Sequence, residues 1–350
     1  MSAPLLLEAN SLIALHSAVK SASFALRGNL SVDDKEQIQQ PLWFRGHSKN
    51  TYLLRPHLYP RKAEDKVTYA QMRLHESQRR QHFSARAYHI IAEKPHTDIE
   101  WLSVMQHYWV HTRLLDWGES LYSALFFALK TWISNPEENE FRYGRKDTTP
   151  TIWLLNPCKL NNAVYDHVSG PRYPSVVDCA IEKSILPDDR LRKKMMPEAL
   201  RANRNTLLAD EKFGRGAIVS LSRLEEFRDT AGARYIDMLR NGEANVFYYL
   251  LLRIYSDGAK LPIPIPPLAI LNPYHSPRIA AQRGAFTIFP FPANMDAVSG
   301  MEDFDDSGDW LAEIRIKNPK TVAAELRDTG FSRTDTFPEL PEFGKGVEWR

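Results

Sequence analysis

The chain has 350 residues, 43% apolar and 25% charged, with a formal net charge of +2. That is the makeup of a globular protein with room for a sizeable core, and it excludes a polyanion binder acting through bulk charge. The two cysteines, Cys158 and Cys179, form no CxxC and lie at no metal-ligand spacing from histidines, which argues against a zinc site and fits a reducing cytoplasm.

In chain order, the apolar trio Leu5–Leu7 is followed at once by Glu8, too short a run for a secretory signal. Residues 9–28 predict a helix with Leu12, Leu15, Val19 and Phe24 on one face. A polar, acidic connector over 29–40 leads to a short strand, Pro41–Gly46, closed by glycine. Residues 66–93 predict a long helix with Phe83, Ala87, Ile90 and Ile91 on one side and Arg73, Arg79, Arg80 and Arg86 on the other. That basic side reads as a solvated face, with an anionic partner as the sharper alternative. A helix is expected over 98–109.

The clearest helix is Ser120–Trp132, where Leu121, Ala124, Leu125, Ala128, Leu129 and Trp132 keep the 3.6-residue period. Ser120 or Asp116 stands where a cap or turn bond is expected. The longest apolar run, Leu121–Leu129, is far below membrane-spanning length. Strands are expected at Thr151–Leu155, ended by Asn156-Pro157, and at Ala217–Leu221. A basic cluster of Arg190, Arg192, Lys193 and Lys194 lies between them. Ser222-x-x-Glu225 is a capping box, and Glu243–Tyr255 an apolar helix. Leu261–Leu271 is too proline-rich to be a central strand throughout. Strands at Gly284–Phe291 and Leu311–Lys317 flank the acidic loop 302–309, and Pro319–Asp328 is the last helix.

The pattern is α+β: a mixed sheet core with surrounding helices. It comprises an N-terminal helical extension over 1–40 and one domain over 41–345, with an insertion at about 158–250.

Two dense segments set polar groups inside apolar frames, where each must find a partner or be costly. The first is Phe44-Arg45-Gly46-His47-Ser48. An arginine at a strand end offers a planar fork for phosphate or carboxylate, and glycine lets a ligand approach the main chain. His47 can share a proton or a hydrogen bond. The plain alternative is an arginine paired with a carboxylate such as Asp116. The second segment is Gln106–Trp117. Arg113 and Asp116, three apart, are placed to pair locally; the functional alternative has one arginine holding an anion and Asp116 holding that arginine. A third stretch, His275–Phe289, puts Gln282 just before a glycine and a strand. Glutamine can hydrogen-bond an amide or a ribose hydroxyl but cannot act as a general base. The chain carries no Walker A loop, GxGxxG, HExxH or GxSxG motif.

Together these segments resemble the FRG domain family, named for its Phe-Arg-Gly motif, here Phe44-Arg45-Gly46. The family's Gln-His-Tyr-Gly-x-x-Thr-Arg-Leu-Leu-Asp-Trp block is similar to Gln106–Trp117, with Trp109 in place of its glycine. Ser120, Ala124–Ala128, the strand at 152–155, Arg278–Phe286, Gly330 and Thr336–Leu340 match as well. The resemblance implies an accessory or effector protein of bacterial and phage-linked conflict systems. The motif order also resembles ADP-ribosyltransferases, which implies an ADP-ribosyltransferase-like fold and NAD as substrate. On that resemblance Arg45, Gly46, His107, Thr112, Arg113 and Ser120 bind the dinucleotide, and His47, Tyr108, Asp116 and Gln282 serve the chemistry. Gln282 stands where such enzymes usually carry a glutamate, which keeps open a non-catalytic module sensing a nucleotide or a phage protein. The implied partners are NAD or a related nucleotide and a macromolecular acceptor, without a membrane. Nucleic acid is a third reading, resting on the basic stretches at 79–86 and 190–204.

Overall fold

A computed structural model of the chain describes residues 2–28, 40–59, 68–91, 94–134, 149–169, 218–220, 255, 265–271, 277–291 and 300–338. The basic cluster at 190–194, the capping-box helix at 222 and nearly all of the helix expected to end at Tyr255 fall outside these residues.

Eight strands form one sheet: β1 (Leu5–Ala9), β2 (Trp43–His47), β3 (Leu114–Gly118), β4 (Thr151–Leu155), β5 (Val219–Ser220), β6 (Leu268–Leu271), β7 (Gly284–Ile288) and β8 (Leu311–Ile316), in the order β1-β8-β4-β2-β3-β7-β6-β5. Most neighbours are antiparallel; β1 with β8 and β5 with β6 are parallel. Eight described helices accompany the sheet: α1 (Leu12–Arg27), α2 (Tyr69–Ala87), α3 (Asp98–His107), α4 (Leu121–Ser134), α5 (Pro157–Ser169), α6 (Pro277–Gln282), α7 (Pro319–Asp328) and α8 (Arg333–Thr336). The class is α+β.

The central strand β4, Thr-Ile-Trp-Leu-Leu, is buried at every position, because both faces of the sheet are covered. On one face Ile152 and Leu154 join Ala312, Ile314 and Ile316 beneath α1, α4 and α7. On the other, Trp153 and Leu155 join Trp43, Leu115, Trp117, Trp310 and Leu311. Asn156 seals the end of β4. Its side-chain oxygen accepts from the Cys158 and Lys159 amides at 3.1 Å, capping α5 ahead of Pro157. Its amide nitrogen donates to the Leu26 carbonyl, tying α5 to the end of α1.

Some expectations shift. Residues Leu5–Ala9, left without structure by sequence reasoning, pair in register with Leu5 opposite Ala312 through Ala9 opposite Ile316. The N-terminal stretch is thus an edge strand followed by a helix, both built into the sheet domain. In α1 the buried set is Leu15, Ala18, Ala22 and Leu26, while Phe24 is exposed. Phe24 marks the wrong face because two of the four buried positions are small alanines, which carry little hydrophobic signal. Ile90 is likewise exposed beyond the end of α2.

The sheet is split at its middle. β2 pairs with β4 over five residues, and β3 with β7 over five, yet β2 and β3 meet at the single pair Phe44–Gly118. Beyond that pair β2 and β3 no longer pair with each other, though each stays paired with its other neighbour.

Candidate functional site

A cleft of about 750 Å³ opens at this split. β2 contributes Arg45, Gly46 and His47, β3 contributes Asp116 and Trp117, and β7 contributes Phe286; α4 supplies Ser123 and Phe127, and α6 supplies Arg278 and Gln282. The volume lies in the usual range for small-molecule sites.

Gly46 sets how closely the layers approach. A β-carbon there would lie 1.8 Å from the Ala124 carbonyl oxygen, so only glycine lets β2 run directly under α4. Ser120 accepts from the Ser123 amide at 3.2 Å and so caps α4. It does not line the cleft.

A hydrogen-bonded chain runs across the split. Arg45 Nε donates to His47 Nε2 at 3.0 Å, and Nη1 donates to the Asp116 main-chain carbonyl at 2.6 Å while pairing with Oδ2 at 2.9 Å. The guanidinium thereby takes a carbonyl that a regular ladder would have used. Gln106 Nε2 donates to Asp116 Oδ1 at 3.2 Å, and Thr112 Oγ1 donates to Gln106 Oε1 at 2.9 Å. Thr112 itself is fully buried and accepts from the Leu114 amide at 3.1 Å, so it positions Gln106 without reaching the cleft. Arg45 Nη2 makes no hydrogen bond among the described residues.

The charge states follow from this chain. Enclosure pushes the Asp116 carboxyl up, but the Arg45 charge and hydrogen bonds from Arg45, its own amide and Gln106 outweigh that and hold it at about 2. Asp116 is ionised at neutral pH, with 55% of its side chain open to the cleft. His47 moves the other way, to about 3, first by burial and then by the Arg45 charge, with Asp116 and the Tyr52 backbone offsetting only part. A neutral imidazole accepting from Arg45 at Nε2 carries its proton on Nδ1. His47 therefore orients the guanidinium; at neutral pH it takes up no proton. His107 is lowered to about 4 by burial and then by Arg278, partly offset by Asp116, and its Nε2 makes no hydrogen bond among the described residues.

Arg113 is elsewhere. It is 1% exposed; its amide and Nε both donate to Glu76, Nη1 donates to the Tyr255 and Phe289 carbonyls, and the guanidinium sits 4.1 Å from the centre of the Phe291 ring. It is a core hub, and the local pair with Asp116 does not form. Residues three apart in an extended segment point to opposite faces, so Arg113 follows Leu115 and Trp117 while Asp116 turns away from them. Tyr108 ends α3, half exposed against Phe83, and does not line the cleft. Of the residues singled out from the sequence, Arg45, Gly46, His47, His107, Asp116 and Gln282 share the cleft; Tyr108, Thr112, Arg113 and Ser120 do not.

Sequence reasoning missed part of the wall. His57 and His111 stack at 5.5 Å, and with Tyr52 and Arg55 they complete one side. His57 lies in a loop without a periodic signal, and His111, though inside the Gln106–Trp117 segment, stands at a position that its motif leaves open. Among the described residues no group of three or more His, Cys, Asp or Glu can hold a metal, and no helix is long and apolar enough to cross a membrane.

Residues 40–137 match the family model described as FRG domain. This stretch of the chain is an FRG domain. It supplies β2, β3, α2, α3 and α4, and with them Arg45, Gly46, Gln106 and Asp116. The FRG domain does not close the cleft alone: β7 and α6, outside the matched residues, complete it. No curated protein and no solved structure matches the chain.

Proposed function

We propose that the cleft binds a nucleotide of the NAD class and that the chain breaks the bond between nicotinamide and ribose. Water adds to the ribose C1′, nicotinamide leaves with the bonding pair, and one proton passes to solvent. In the transfer variant an acceptor nucleophile takes the place of water. One observation carries the reading. An arginine held from two sides by His47 and Asp116 keeps Nη2 available beside an ionised carboxylate, in a cleft of ligand size. Arginine so oriented suits a diphosphate, and a fixed carboxylate favours the positive charge that develops on ribose as the bond breaks. The resemblance to effectors of bacterial and phage-linked conflict systems supports extending this role to such a system.

Nicotinamide release by the purified chain incubated with NAD tests the reading. Release that Asp116→Asn abolishes supports it; no release and no label transfer, with NAD demonstrably bound, contradicts the catalytic half.

A second reading has its own observation. The Gln282 amide donates to the Thr336 carbonyl at 3.1 Å and so ties α6 to the end of α8, and no glutamate takes the place it occupies in the motif order. On this reading the cleft senses the nucleotide without consuming it. Binding with no turnover selects it.

A further inference from the structure

Trp109 has three properties that do not belong together in a residue that serves only packing. Its backbone adopts φ 60°, the left-handed region that costs a bulky side chain roughly 1–2 kcal/mol and that glycine occupies freely. The residue is 76% exposed, so burial does not repay that strain. It nevertheless lines the cleft and is held in place.

The support comes from behind. The Arg278 guanidinium lies 4.8 Å from the centre of the Trp109 ring and 4.4 Å from that of Phe337. Arg278 is itself 9% exposed. Phe337, 5% exposed, packs edge-on against Phe127 at 5.8 Å and Phe126 at 6.1 Å. An exposed indole is thus braced by a stacked cation, and the cation is braced by the aromatic cluster formed by Phe337 with Phe126 and Phe127 in the middle of α4. The result is a rigid aromatic surface with a positive charge beside it, at a cleft that also carries Arg45.

We propose that Trp109 is the base-stacking platform of the nucleotide site, and that the ligand is a purine nucleotide whose base lies on the indole while its diphosphate runs toward Arg278 and Arg45. This rests on the nucleotide reading above and narrows it. A base offers a flat π-face that an indole recognises without hydrogen bonds, and loss of such a stack costs affinity strongly. The left-handed backbone is what turns the ring to the cleft, and the strain is the cost of that aim.

The test uses the full chain and three ligands, ADP, NAD and inorganic pyrophosphate, with Trp109→Gly, Trp109→Phe and Arg45→Ala. Glycine suits φ 60°, so Trp109→Gly folds with unchanged or higher thermal stability. It weakens ADP binding by roughly tenfold or more while leaving pyrophosphate affinity as in the parent. Trp109→Phe restores most of the ADP affinity. Arg45→Ala weakens both ligands, and ADP quenches tryptophan fluorescence in the parent but far less in Trp109→Gly. If Trp109→Gly binds ADP as tightly as the parent while Arg45→Ala does not, the platform is wrong and the nucleotide reading stands. If the parent binds neither ADP nor NAD, both fall. If Trp109→Gly weakens ADP and pyrophosphate equally, the indole shapes the whole cleft and reads no base, which also overturns the proposal.

Discussion

Arg45 reaches Asp116 twice, once at the carboxylate and once at the main-chain carbonyl, and both bonds span the gap where β2 and β3 cease to pair. The ion pair stands in for a missing stretch of sheet. The same side chain bridges the two halves of the sheet and presents a charged donor to the cleft between them.

Thr112 is expected to matter through Gln106. Thr112→Val removes the donor to Gln106 Oε1 and leaves the Leu114 amide without its acceptor. A buried amide stripped of its partner costs about 1–3 kcal/mol. Urea denaturation should show that loss. Gln106→Leu should cost less stability and raise the Asp116 titration, readable by carboxyl NMR.

Arg113→Ala should be far more damaging than Arg45→Ala. It leaves Glu76 buried without its cation and three carbonyl or carboxylate contacts unmet. Removing one partner of such a pair costs about 3–5 kcal/mol. Arg45→Ala breaks a pair whose carboxylate stays in contact with water, so the fold should largely survive. Thermal melts of the two variants side by side check the ordering.

Gly46→Ala tests the close approach of β2 and α4. The added methyl meets backbone, which cannot swing aside as a side chain would. Overpacking of this kind costs about 1–3 kcal/mol and at times more. The expected outcome is a strong fall in melting temperature together with loss of ligand binding, because α4 carries Ser123 and Phe127 into the cleft.

Acid should destabilise the protein through His47 and His107. Both are lowered in the folded state, to about 3 and about 4, while the unfolded chain protonates near 6.5. Between those values the unfolded state binds more protons, so stability is full above pH 6.5 and declines as pH falls toward 4 and then 3. Asp116, lowered to about 2 from 3.8, adds a loss only below about pH 4. Denaturation midpoints at pH 7, 6, 5 and 4 should fall steadily. His107→Gln should flatten the slope between 6.5 and 4.

The helices and strands with a continuous signal were readable in the sequence. Thr151–Leu155 is a β-branched threonine followed by an unbroken apolar run, and Pro319–Asp328 has proline at its first turn behind an asparagine cap. The outer strand Leu5–Ala9 and the strand that follows Thr112 were not. The outer strand Leu5–Ala9 is half exposed, and Leu114–Gly118 carries Asp116 outward and so lacks a clean alternation. Of the two alternatives for Arg113, the local pair with Asp116 fails because an extended backbone sends its side chain to Glu76, 37 positions earlier. Arg45, Gly46, His47 and Asp116 were legible because costly polar groups in apolar frames announce themselves. The stacked pair His57–His111 and the contact of Arg278 in α6 with Trp109 join segments distant in sequence, and no local pattern encodes them.

The most direct test of the cleft is calorimetric titration of ADP-ribose and NAD into the parent chain and into Arg45→Ala, at two salt concentrations. The account predicts saturable one-site binding to the parent that weakens as salt rises, and its loss in a variant that still melts cooperatively. Equal binding by both proteins, or none by a folded parent, would contradict it.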